Sequence, residues 1–135
     1  MTKINTVYCG GLHTEATHVQ SGTVLTTDAP LDNHGRGESF SPTDLFATSL
    51  TSCMMTIMGI SAESYGFSIE GLRAETEKIM AANPRRVAEI IIDLYFSANN
   101  YTDQQKRLIE SAARTCPVHN SMSPDVIKTI RFHYE

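Results

Sequence analysis

Positive charge is scarce in this chain. Its 135 residues carry 11 Lys and Arg against 15 Asp and Glu, a net charge of −4 with an isoelectric point near 5.7. No stretch gathers a basic stripe, so no nucleic-acid partner is expected. No run approaches the ~18 consecutive apolar residues of a membrane span, so no membrane partner is expected either. The N-terminal MTKINTVYCG lacks the apolar core of a secretion signal, which makes the cytoplasm the expected location. Cysteine is sparse and odd in number: Cys9, Cys53 and Cys116. Without a signal segment, that count argues against a framework of structural disulfides. Two readings stay open, buried inert thiols or a working thiol site. Internal repeats, low-complexity tracts and linkers are absent. So are a P-loop and a dinucleotide GxGxxG, and none of the five His stands near a Ser in a triad pattern.

What is present is ordinary globular material. Hydrophobic residues make up 41% and charged residues 19%, enough for a core without metals or disulfides in a single domain spanning 1–135. Residues 3–9 are rich in β formers and end at Gly10-Gly11. Residues 13–20 and 23–27 are separated by Ser21-Gly22, a hairpin turn signal. Residues 28–40 read as a loop. Within it, His34-Gly-Arg-Gly37 has the composition of an anion nest, though a flexible Gly-rich loop accounts for it as well.

A long helix is predicted next. Ser41-Pro-Thr-Asp supplies an N-cap, a Pro at the first helical position and an early acid. Phe46, Leu50, Cys53, Ile57 and Ile60 fall on one face, while Leu45, Met54, Met55 and Met58 add apolar groups elsewhere. Between Thr43 and Glu63 the only charge is Asp44. Gly66 marks the end, giving ~24 residues or ~36 Å. A helix apolar nearly all round is buried on most sides, and so short a chain has little sheet with which to cover it. A second subunit could supply the cover.

A hairpin follows. One strand is expected from Phe67 to about Met80, with a bulge at Gly71, and the turn is Ala82-Asn83-Pro84. The return strand, 85–98, places Ala88, Ile90, Ile92, Leu94, Phe96 and Ala98 on one face, with Glu89, Asp93 and Ser97 on the other. Thr102-Asp-Gln-Gln opens a second helix as a capping box, and Ile109, Ala112 and Cys116 share its face. Pro117 ends it, residues 117–122 have the makings of a short new turn, and a last strand covers 126–134. The order βββ-α-ββ-α-β implies an α+β fold with an antiparallel sheet.

The thiols differ in setting. Cys53 lies mid-helix on an apolar face, where a lone Cys is usually a small core residue. Cys116 precedes a proline. As the cap of a new helix it would have its thiolate stabilised by free N–H groups; as the end of the old one, the reverse would hold. Cys9, at a strand end, reads as structural. Cys116-Pro-Val-His119 has a ligand-like spacing, but no companion CxxC or HxxxH completes a zinc site, so no metal is expected.

The segment from Gly35 through Ser-Pro-Thr-Asp to Cys53-Met-Met-Thr-Ile-Met resembles the helix entry of the OsmC/Ohr family. Cys116-Pro-Val-His-Asn-Ser-Met resembles that family's second-cysteine motif, and the 62 residues between the two cysteines carry the expected hairpin and helix. The resemblance implies an intertwined homodimer with sheets wrapped around long central helices. It also implies reduction of small organic hydroperoxides without a bound cofactor. Cys53 would become a sulfenic acid, Cys116 would resolve it, and an external dithiol of lipoyl type would reopen the disulfide. Relatives place Glu directly after the helix-opening Pro and Arg just after a Gly-Gly pair. Here those places hold Thr43 and, after Gly10-Gly11, Leu12 and His13. Arg36 and Glu38 are candidates to replace them; as ordinary loop charges they would simply be solvated. The rival function is a small-molecule-binding domain, lined by the Met-rich helix, whose thiols are idle. A metal-binding module is the third.

Overall fold

The computed structural model describes residues 1–97 and 100–134, so Ala98, assigned above to a strand face, lies outside the described residues. The chain divides into two compact units, Met1–Phe46 and Ala47–Glu135.

In the first unit, strands β1 (Ile4–Gly10), β2 (His13–His18) and β3 (Val24–Asp28) form an antiparallel sheet in chain order. Gly10, Gly11 and Leu12 all take positive φ at the β1–β2 turn, a geometry two glycines make accessible. The β2–β3 connection turns at Gly22, as its sequence predicts. Every residue of β1 is exposed, including Ile4, Val7 and Tyr8. The loop that follows holds one 3₁₀ turn, Leu31–Asn33. A side chain at Gly35 would collide with the Ala29 backbone, so close packing of the loop on itself requires glycine there.

Helix α1 (Pro42–Ser64) opens as its sequence predicts. The Asp44 N–H donates to Ser41 Oγ (3.0 Å), and the Ser41 N–H donates to Asp44 Oδ2 (2.9 Å), a reciprocal cap. It closes at Gly66 (φ 76°), with Phe67 N–H donating to Ala62 O and Gly66 N–H to Glu63 O, the bonding of a Schellman motif. The buried face, however, is Ala47, Leu50, Thr51, Met54, Met58 and Ala62. Of the face predicted from periodicity, only Leu50 is buried; Phe46 and Ile60 are exposed, and Cys53 and Ile57 half-buried. A helix apolar on every side offers no contrast by which periodicity can choose a face. By length and composition alone α1 could cross a bilayer, with mean hydropathy 1.5 over an 18-residue window, one third of which is buried within the chain.

The second unit continues with β4 (Arg73–Ala81), β5 (Arg86–Tyr95), α2 (Asp103–Ala113), α3 (Pro117–Ser121) and β6 (Ile127–His133). Gly71 sits in a turn before β4 instead of bulging a strand; the bulge falls between Ile79 and Met80. β4 and β5 are antiparallel, but β5 and β6 run parallel, where an antiparallel pairing was expected. The connection explains it: α2 and α3 carry the chain back along the sheet, as a parallel crossover requires. Ile90, Ile92 and Leu94 of β5 pack with Leu50, Met54 and Met58 of α1 and Ile109 of α2 in one core. Thr51 and Thr76 join hydroxyls at 2.6 Å, so the buried threonine of α1 is satisfied.

The outer face of this sheet carries a charge cluster. In register with Asp93, Arg131 donates through Nε (2.7 Å) and Nη2 (2.9 Å) to the Asp93 carboxylate, and His133 Nε2 lies 2.9 Å from Oδ1. Arg131 and then His133 pull the Asp93 pKa down to about 2. An unfolded Asp titrates near ~3.9. Its contribution to stability is therefore present above about pH 4 and lost as pH falls toward 2. Asp93→Asn should flatten the acid side of the stability–pH curve over that window, and a carboxyl NMR titration of the wild type should place the Asp93 midpoint near 2.

Candidate functional site

Two of the three cysteines belong to the core of the second unit. Cys53 of α1 is half-buried and packs against the core. Cys116 is brought to it by a break between helices. α2 ends at Ala113, with Arg114 as its C-cap; Pro117 cannot continue a hydrogen-bonded turn from within α2, but is well suited to start another. Cys116 is accordingly extended (φ −72°, ψ 145°) and caps α3, with the His119 N–H donating to its Sγ at 3.3 Å. The choice left open by the sequence falls to the cap of a new helix. The thiol is wholly buried, and both it and Cys53 are free.

Both thiols belong to the same apolar cluster, and Cys53 is near enough to influence the titration of Cys116. Burial pushes the Cys116 pKa above its ordinary value. The His119 N–H pulls it back in part, and the neighbouring Cys53 thiol pushes it up again. Cys116 is thus a protonated, dry thiol at neutral pH, paired with a partner that has more access to solvent. Such a pair can pass through a mixed state in which one sulfur is oxidised and the other closes on it.

The remaining candidates gather elsewhere. His13, Arg36 and Glu38 line a cavity of about 300 Å³ in the first unit, with Cys9 and Asp28. Thr43 stands in the first turn of α1, its hydroxyl 3.2 Å from Ser41 Oγ. His119 meets Cys116 through its backbone amide. Among the described residues the one group of three with metal-ligand chemistry is instead Cys9, His13 and Glu15. Cys9, read above as structural, is exposed, with Sγ 3.4 Å from Glu15 Oε2. Asp28, which sequence reasoning passed over as a loop residue, has its carboxylate Oδ1 2.7 Å from His13 Nδ1. The signal that could have found it is the β2–β3 hairpin itself, whose register sets Asp28 opposite His13.

A family model described as OsmC-like protein matches residues 35–130. The chain belongs to the OsmC-like family. An osmotic stress induced and detoxification response protein of Psychrobacter arcticus, so described in its crystal structure, shares 47% identity. The match covers 98% of this chain and 96% of that one, with a TM-score of 0.94. The organic hydroperoxide resistance protein OsmC of Legionella pneumophila matches at 18% identity over 98% and 96% of the two chains, TM-score 0.77. An organic hydroperoxide resistance protein of Elizabethkingia anophelis matches at 14% over 100% and 98%, TM-score 0.77. No curated protein matches. The α+β OsmC-like fold expected from the two cysteine motifs is therefore the fold of this chain.

Proposed function

We propose that this OsmC-like chain, acting as one domain and as a homodimer in the cytoplasm, reduces small organic hydroperoxides through Cys53 and Cys116. The observation that carries the reading is the pairing of a half-buried thiol with a wholly buried one inside an apolar core. The Cys53 thiolate attacks the outer peroxide oxygen; the O–O bond breaks, the alkoxide leaves and takes a proton, and Cys53 carries the sulfenic acid. Cys116 sulfur then displaces that oxygen as water and forms the disulfide. An external dithiol of lipoyl type returns two electrons and two protons, leaving both thiols reduced and itself oxidised. No bound cofactor takes part. Apolar walls favour an alkyl hydroperoxide over hydrogen peroxide.

Purified protein supplied with a reduced lipoyl-type dithiol should consume cumene hydroperoxide and leave hydrogen peroxide largely untouched. Thr43 and, after Gly10-Gly11, Leu12 and His13 stand where relatives carry Glu and Arg, so turnover should be slower than in those relatives. Failure to consume any alkyl hydroperoxide would turn the assignment to the rival reading, a small-molecule-binding domain. That reading draws on an open cavity of about 460 Å³ lined by Gly59, Ala62, Phe67 and Ile69. Among the described residues no Met lines this cavity; Met54 and Met58 are fully buried in the core and Met55 is half-buried.

A further inference from the structure

We propose that Cys9, His13 and Glu15 form a zinc(II) site on the N-terminal sheet, separate from the Cys53–Cys116 pair. The β register builds it. Val7 pairs with Glu15, so Cys9, two residues on, shares the face of Glu15 and of His13, two residues before it. The register shifts between Tyr8 and Gly10, which makes Cys9 the extra residue of a bulge, a device that re-aims a side chain. One donor atom from each of the three residues then lies within 4.8 Å of the others.

The donor set selects the metal. One thiolate, one imidazole and one carboxylate suit zinc and are poor ligands for magnesium or calcium. Zinc bonds of ~2.3 Å to sulfur and ~2.0 Å to oxygen at a tetrahedral angle set those two ligands roughly 3.5 Å apart. Cys9 Sγ and Glu15 Oε2 stand at 3.4 Å. A second observation points the same way. His13 Nδ1 is held by Asp28 Oδ1 at 2.7 Å, the carboxylate–imidazole pairing that orients a ligating histidine. The cavity beside the cluster adds Glu38 and Arg36, so three carboxylates face one guanidinium around the site, a balance that favours a cation. Three protein ligands leave the fourth position of zinc for water. Binding releases the Cys9 thiol proton to solvent as the sulfur becomes a thiolate ligand.

The test is titration of reduced, metal-free, tag-free protein with zinc, and with cobalt(II) as a coloured substitute. One zinc per chain should bind, and cobalt should give a thiolate-to-metal charge-transfer band. Cys9→Ser should abolish that band. Glu15→Gln should weaken binding without disturbing the strand, and Asp28→Asn should weaken it by about 10–100-fold. Cys9 and Glu15 are exposed, so both variants should fold, which circular dichroism checks. A Cys53→Ser/Cys116→Ser double variant should bind zinc and keep the cobalt band as the wild type does. The proposal is overturned if the protein binds no zinc. It is equally overturned if zinc and the band survive in Cys9→Ser but vanish in the double variant. Neither result bears on hydroperoxide reduction, which is read separately.

Discussion

Cumene hydroperoxide should convert the wild-type protein to a Cys53–Cys116 disulfide, and Cys116→Ser should stop at sulfenic acid on Cys53. Cys53→Ser should lose peroxidase turnover to background, the largest effect expected of any single change in this chain. The asymmetry follows from the two settings. Attack on a peroxide needs thiolate and access. Cys116 has neither at neutral pH: it is wholly buried, and burial pushes its pKa up. Cys53 keeps contact with solvent, so it is the sulfur a hydroperoxide meets. The raised pKa then sets a second, kinetic expectation. Cys116 resolves the sulfenic acid faster as thiolate, and its thiolate fraction grows as pH rises toward its folded pKa. The sulfenic acid should therefore persist longest on the acid side of neutrality and collapse faster in mild alkali. Mass spectrometry of dimedone-trapped and alkylated peptides over a pH series reads both quantities. A Cys53 that stays reduced while methionines are oxidised would sink the catalytic reading.

The parts of this fold that were legible in sequence are those written in local backbone chemistry. Ser41 and Asp44 cap α1, Gly66 stops it, and Thr102 with Gln105 caps α2, each where the residues predict. The break at Pro117 likewise foretold that residues 117–122 could start a new turn, and that turn is what puts an N–H on the Cys116 sulfur. Features decided by packing were less legible. The buried face of α1 turned out to be the Met54–Met58 side, because apolar groups on all sides leave the choice to whatever packs there first. The parallel pairing of β6 depends on where α2 and α3 deliver the chain, which strand periodicity does not record. That Cys53 and Cys116 belong to one core could be expected only through the family motifs. The Cys9 cluster needed the strand register and its bulge, which shift a side chain by a distance no residue spacing reveals.

Ile60→Asp should break up the proposed homodimer, at a cost of several kcal/mol of stability. Ile60 is 56% exposed on the chain alone, toward the C-terminal end of the α1 face of Phe46 and Ile57 and about 10 Å beyond Cys53, so a second copy can seat there without sealing the thiol. If that face met only water, an exposed Ile→Asp change would move stability by no more than about 0.5 kcal/mol. If a second copy covers it, the substitution buries an unpaired carboxylate in an apolar interface, which costs several kcal/mol or empties the interface. The two cases differ enough for one urea titration to separate them. Apolar surface argues for the second. α1 has mean hydropathy 1.5 over 18 residues with only a third of that window buried, and β1 leaves Ile4, Val7 and Tyr8 exposed as well. Intertwined obligate dimers typically bury more than ~2,000 Å². The wild type should thus sediment as a dimer at micromolar concentration, with an unfolding midpoint that rises with protein concentration. Ile60→Asp should sediment as a monomer or unfold. A wild type that is monomeric and stable, with an Ile60→Asp variant indistinguishable from it, would leave α1 exposed in solution and remove the dimer from the proposal.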